Sequence, residues 1–159
     1  MAQQNDAPSK PKVQTIKSIA DNRRARFEYM ITQELEVGIA LSGTEVKSLR
    51  QGKVQLSDGY AHLQGGELFL ENVHISPYSH GNQFNLLEKR KRKLLAHKRE
   101  IEKLRVKLQD QGATLVPLKM YFKGNKVKVL IGLARGKKSY DKRQTIKDRD
   151  AKRDIRNVE

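Results

Sequence analysis

Residues 114–122, TLVPLKMYF, and residues 126–134, KVKVLIGLA, flank the turn Lys123-Gly124-Asn125. In both arms apolar side chains recur at every second position, the period of a strand with one buried face. Val116, Leu118, Met120 and Phe122 are predicted to share one face of the first arm. Val127, Val129, Ile131 and Leu133 share one face of the second. The pair reads as an antiparallel hairpin. Pro117 brings no amide hydrogen to the ladder, which places it at an edge or a bulge.

Working outward from this hairpin, the strand period recurs toward the N-terminus. Gly65-Gly66 separates AHLQ from ELFLENVHI and predicts a second hairpin. Val54 and Leu56 begin an extended stretch that Asp58-Gly59 interrupts and residues 60–63 continue. Phe27, Tyr29 and Ile31 alternate with Arg26, Glu28 and Met30, which predicts a strand. Leu35, Val37, Ile39 and Leu41 form a second strand or a bent continuation of the first. Two segments have the other period. Ser42 and Glu45 have capping-box spacing, so 44–51 reads as a short helix with Lys47 and Arg50 outward and Gly52 just past its end. In 86–111, Leu87, Leu94, Ile101 and Leu108 fall seven apart and Leu104 joins them. This predicts one long helix with a narrow apolar stripe and a basic surface, ended by Gly112. A loop is expected from Pro77 through Asn85.

Five or six short strands, mostly hairpin-linked, with helical insertions suggest a mainly β protein. The best fit is a small closed antiparallel barrel of the oligonucleotide-binding (OB) type with a basic C-terminal tail. Residues 1–22 are polar, hold Pro8 and Pro11, and read as a flexible leader. Residues 23–134 form the barrel, and 135–159 form the tail. The tail has ten basic residues against five acidic ones and too few apolar positions to dock. It is expected to be disordered when free and helical on an RNA surface.

Charge sets the class of partner. The 159 residues carry 33 Lys+Arg and 18 Asp+Glu, a formal net charge of +15, which favours a polyanion such as nucleic acid. No apolar run is long enough to span a bilayer, the start MAQQNDAPSKPK shows no signal-peptide pattern, and Cys is absent. These features suit a cytoplasmic protein. His74 and His80 straddle a Pro-containing loop with no carboxylate at ligand spacing, so no metal or other cofactor is expected. HExxH, GxSxG and GxxxxGK[ST] are all missing, which argues against an enzyme. The basic residues cluster at 23–26, 89–93 and 135–143, each bordering the end of an element. In the last cluster Tyr140 is the single ring among cations, suited to stacking on a base while the cations meet phosphates. Glu36 and Glu45 stand out in so cationic a chain. A carboxylate repels phosphate but accepts from base amino groups, though a salt bridge to a nearby Arg is the simpler role.

Several motifs occur together and in order: Asn22-Arg23-Arg24-Ala25-Arg26; Gly43-Thr44-Glu45-Val46-Lys47-Ser48-Leu49-Arg50 with Gly52-Lys53; His74-Ile75-Ser76-Pro77-Tyr78; Arg92-Lys93-Leu94-Leu95; Leu115-Val116-Pro117-Leu118; and Gly136-Lys137-Lys138 with Tyr140-Asp141-Lys142-Arg143. From Asn22 to Arg143 the chain resembles the SsrA-binding protein (SmpB) family, the protein partners of transfer-messenger RNA (tmRNA). It departs from the family pattern at Leu86-Leu87-Glu88 and at Leu94-Leu95-Ala96, which bears on where the long helix starts.

The resemblance implies a non-enzymatic role in trans-translation. The barrel would bind the tRNA-like domain of tmRNA, promote its alanylation and help deliver it to stalled ribosomes. The tail would enter the decoding centre and mRNA channel in place of a codon–anticodon pair. Implied partners are tmRNA and the ribosome, at the small-subunit rRNA of the decoding centre. Elongation factor Tu with GTP and alanyl-tRNA synthetase would be reached through the charged RNA, with the protein monomeric in the complex and no membrane involved. For tmRNA binding the resemblance points to Glu36, Leu95 and Lys128, joined by the basic residues Arg24, Arg26, Lys47, Arg92 and Lys93. For the decoding centre it points to Tyr140, flanked by Arg135, Lys137, Lys138, Asp141, Lys142 and Arg143.

Overall fold

A computed structural model describes residues 15–78, 87–110, 112–137 and 139–158. The hairpin leads the architecture. β8 (Ala113–Lys123) pairs along its length with β9 (Lys126–Gly136), with Gly124 in the turn at φ +61°. β9 pairs on its other side with β2 (Tyr29–Ile39), and β2 pairs with β7 (Arg92–Leu95). β7 pairs with β5 (Glu67–Glu71), β5 with β4 (Tyr60–Gln64), and β4 returns to β8 at Ala61 and Leu115. The ring is closed and every pairing in it is antiparallel, so the barrel of OB type is the observed fold. β3 (Val54–Gln55) and β6 (His74–Ile75) form a small separate pair. Val37, Leu68, Leu70, Leu94, Leu115, Met120, Val129 and Ile131 fill the interior.

Local rules explain the elements read correctly. Gly65 and Gly66, at φ +57° and +75°, make the β4–β5 turn, a backbone that only glycine adopts without strain. α2 (Gly43–Arg50) starts with a full capping box: Glu45 N–H donates to Ser42 Oγ at 3.3 Å and Ser42 N–H to Glu45 Oε1 at 3.0 Å. Lys47 and Arg50 face outward, and Gly52 follows at φ +71°.

Four expectations are corrected. The stretch from Arg23 to Glu28 is a helix, α1, and not a strand. Asn22 caps it, accepting from Ala25 N–H at 3.2 Å, while its amide donates to Pro117 O at 2.8 Å and Leu56 O at 3.3 Å. The alternation of Phe27, Tyr29 and Ile31 straddles the junction with β2. Residues Ile16–Asp21, assigned to the leader, form β1 on the free edge of β8's C-terminal half, with only Ile19 and Ala20 packed on the core. Such an edge strand leaves little apolar signal.

The long helix of 86–111 is instead a turn, the strand β7 and a short helix, α3 (Lys98–Lys107). Leu87 is 82% exposed, whereas Arg92 and Leu94 point inward and Lys93 and Leu95 outward, the period of two. Pairing with β5 and β2 overrides the helix propensity of Lys, Arg and Leu. Finally, the register of β8 shifts between Pro117 and Lys119. That bulge moves Val116 and Leu118 onto a second cluster with Ala25 and Ala134, beneath α1, and leaves Met120 and Phe122 in the barrel. The tail is helical as α4 (Ser139–Val158), and Ala134 to Gly136 still belong to β9.

Candidate nucleic-acid interface

Three strands bring together residues far apart in sequence. Glu36 and Gly38 on β2, Lys93 and Leu95 on β7, and Lys128 on β9 line one open groove of about 620 Å³, with His97 and Lys98 at the start of α3. Gly38 lies opposite Lys128 on one side and Leu95 on the other. A Cβ on residue 38 would sit 3.2 Å from Leu95 Cβ, so glycine keeps the floor of the groove low. Leu95 is 53% exposed, an apolar side chain held in the open at a strand edge of the groove.

Glu36 is the electrostatic centre. Tyr121 O–H donates to its Oε2, and Lys123 Nζ donates to its Oε1 at 3.1 Å. The Tyr121 hydroxyl, reinforced by Lys123 and Lys128, holds the Glu36 carboxyl below its ordinary range against an opposing desolvation. Tyr121 is pushed well up, first by burial and then by the bonded carboxylate. Glu36 is therefore ionised and fixed in place among lysines. Tyr121 and Lys123 were missed in the sequence; the signal available was their side of the β8–β9 hairpin, since Tyr121 sits directly opposite Lys128.

The other sequence candidates lie elsewhere. Arg92 is 1% exposed: Nε donates to Glu45 Oε2 at 2.6 Å, and its remaining nitrogens donate to Val73 O, Arg90 O and Glu88 O. Burial lowers the pKa of this guanidinium, yet it stays paired. Arg92 is thus buried in the barrel wall, with its guanidinium engaged inside the fold and not presented to the groove. Glu45 likewise serves a salt bridge: burial works against its ionisation, but Arg90, the Ser42 amide and Arg92 outweigh it and lower its pKa. Lys93, in the groove, pairs with Glu67 at 2.8 Å. Lys47 lies over the Tyr78 ring at 5.3 Å.

Arg24 and Arg26 are on α1, paired with Glu28 at 2.9 Å and Glu34 at 3.1 Å. They stand near the root of the tail, where Lys137 Nζ donates to Arg26 O at 3.1 Å and to Thr145 Oγ1 at 2.8 Å. Arg135, still in β9, pairs with Asp110 at 3.1 Å. Lys142 is half-buried and Arg143 exposed on α4. Tyr140 and Asp141 lie in the first turn of α4, their side chains outside the described residues, as is Lys138. Arg135 lies seven positions along β9 from Lys128, about 23 Å of strand, so the groove and the tail root are two places. Among the described residues, no group of His, Asp and Glu is arranged to hold a metal ion, and no helix is long and apolar enough to cross a membrane.

A closed antiparallel barrel with a lysine-flanked groove and a cationic helical tail defines a small RNA-binding protein of the OB class. The family model described as SmpB protein matches residues 19–158, and the chain belongs to the SmpB family. It is 58% identical over 139 residues to the SsrA-binding protein of Carboxydothermus hydrogenoformans, covering 87% of this chain and 93% of that one. It is 60% identical over 138 residues to the SsrA-binding protein of Trichodesmium erythraeum, covering 86% and 88%. A chain from a solved structure of tmRNA–SmpB at the centre of the bacterial ribosome superimposes with a TM-score of 0.65 at 54% identity, covering 76% of this chain and 85% of that one.

Proposed function

We propose that this protein binds transfer-messenger RNA through the barrel groove and serves trans-translation, without chemistry of its own. The observation that carries the reading is the convergence of Glu36, Lys93, Leu95 and Lys128, from three strands, on one groove. Cations meet phosphates, an exposed leucine meets a base or sugar, and a fixed carboxylate meets base donors. The relatives named for SsrA binding, and the solved tmRNA–SmpB complex, support the choice of RNA.

The finer steps belong to the same proposal. Bound protein promotes alanylation of the RNA by alanyl-tRNA synthetase and travels with it and elongation factor Tu to a stalled ribosome in the cytoplasm, as a monomer. The tail, from Lys137 onward, orders in the decoding centre, where Tyr140 stacks on rRNA and Lys138, Asp141, Lys142 and Arg143 flank it. Groove and tail root lie at different ends of β9, which supports division of labour between them.

Deletion of residues 138–159 tests this division; the cut falls after β9, which ends at Gly136. The expected result is unchanged affinity for the tRNA-like domain of tmRNA and loss of peptide tagging on stalled ribosomes. Loss of most RNA affinity would overturn the two-part reading. Tyr140→Ala should keep RNA binding and reduce tagging.

A further inference from the structure

The last carbonyls of a helix have no partner within it, and in α1 they are met from outside. Ala25 O accepts from Tyr29 N–H, Glu28 O accepts from Lys137 N–H at 2.9 Å, and Arg26 O accepts from Lys137 Nζ at 3.1 Å. The same ammonium donates to Thr145 Oγ1 in α4 at 2.8 Å. Two of its three donors are thus used inside the chain, one on each helix, at the negative end of α1. α1 is itself fixed. Asn22, its cap, donates to Leu56 O and Pro117 O, and Ala25 sits in the second core cluster with Ala134 of β9. Lys137 and Thr145 are half-buried, whereas residues 147–155 are exposed.

We propose that Lys137 is a positioning residue for the tail: it pins the start of α4 to the end of α1 and sets the direction in which the tail leaves the barrel. The inference rests on the assignment of the tail to the decoding centre and adds what aims it. The resemblance counts Lys137 among the rRNA contacts; here its ammonium is turned to the two helices. Tyr140 lies between Lys137 and Thr145 in the chain. The backbone that carries it therefore has a set place relative to the barrel before any RNA is met. Ordering on the ribosome is left to the residues beyond the pin. The rival role for Lys137 is a phosphate contact, and Thr145 separates the two. It carries no charge, so removing its hydroxyl matters to the tail only through the pin.

The chain has no cysteine, so spin labels at Lys126→Cys, the far end of β9, and Lys147→Cys, just past the pin, report the aim of the tail in the free full-length protein. A chain otherwise wild type should give one narrow distance. Lys137→Met keeps the aliphatic stem, and Thr145→Val matches threonine in helix propensity. Each should lose the narrow distance with a thermal midpoint near wild type. Without labels, both variants should keep their affinity for the tRNA-like domain of tmRNA and slow peptide tagging on stalled ribosomes about fivefold, the equivalent of one hydrogen bond. The double variant should be no slower than the slower single one, since both remove the same link. A broad distance in the wild type overturns the pin, as does one that stays narrow in both variants. Wild-type tagging by Thr145→Val, or additive slowing in the double variant, overturns it too. Absence of tagging by the wild type overturns the ribosomal reading of the tail, and the distance measurement still decides the pin.

Discussion

Arg92 donates from Nε to Oε2 of Glu45 across 2.6 Å inside the barrel wall, and neither side chain is more than 6% exposed. The same carboxylate takes Arg90 at 2.5 Å on its other oxygen, so one acid from α2 ties down β7 and the turn before it. Removing one partner of such a pair leaves a buried, uncompensated charge, at a cost of about 3–5 kcal/mol. Arg92→Met should therefore lower stability by that order in urea unfolding. Arg92→Met with Glu45→Met should recover part of the loss, since no charge is then stranded. An Arg92→Met protein of wild-type stability with weakened RNA binding would return Arg92 to the interface.

The same acid governs the response to low pH. Glu45 and Glu36 both titrate below their ordinary values in the folded chain. The unfolded state then binds more protons than the folded state in the acid range, so stability rises with pH there. Their contribution is complete above the unfolded carboxylate value, about 4.3, and is lost as pH falls through the folded values. Glu45→Gln should lower the thermal midpoint at neutral pH and flatten its fall below pH of about 4.5. Glu102→Gln should change little at any pH, because Glu102 and its partner Arg105 are both more than half exposed. An acid limb as steep in Glu45→Gln as in the wild type would count against the clasp.

What the sequence revealed and what it hid separate along one physical line. The β8–β9 hairpin, the Gly65-Gly66 turn and the capping box of Ser42 and Glu45 are decided by neighbours within a few residues, and all three are found. β7 is decided by β5 and β2, strands more than twenty residues away, against a local composition that favours helix. α1 depends on Asn22 reaching Pro117 O, another long-range bond. The groove is the extreme case. Glu36 stands out by charge as an acid in a cationic chain, Leu95 and Lys128 only by resemblance, and no periodicity could join the three or add Tyr121 and Lys123.

The bulge in β8 makes a further demand. Gly132 faces it from β9, opposite Val116, and a Cβ there would come within 2.9 Å of Leu118 Cδ1 and 3.1 Å of Ile31 Cγ2. Both neighbours pack in or against the second cluster beneath α1. Gly132→Ala overpacks this layer and should cost about 1–3 kcal/mol, read as a lower thermal midpoint. Leu118→Val in the same chain should recover some of it by withdrawing the nearest methyl. An unchanged midpoint in Gly132→Ala would show that the Leu118 side chain turns aside freely.

Leu94 and Leu95 are adjacent on β7 and face opposite ways, which separates folding from binding within one dipeptide. Leu94 is 1% exposed in the barrel core, so Leu94→Ala should cost about 2–5 kcal/mol of stability through lost burial and a cavity. Leu95 is 53% exposed beside Gly38, and Leu95→Ala should shift stability by no more than about 0.5 kcal/mol. Its effect should fall on RNA instead. Covering the open part of a leucine is worth about 1 kcal/mol, roughly fivefold in Kd for the tRNA-like domain. Urea unfolding and a mobility-shift titration on both variants read the two axes. If Leu95→Ala lost stability as Leu94→Ala does and kept its RNA affinity, Leu95 would be a packing residue and the groove would lose its apolar wall.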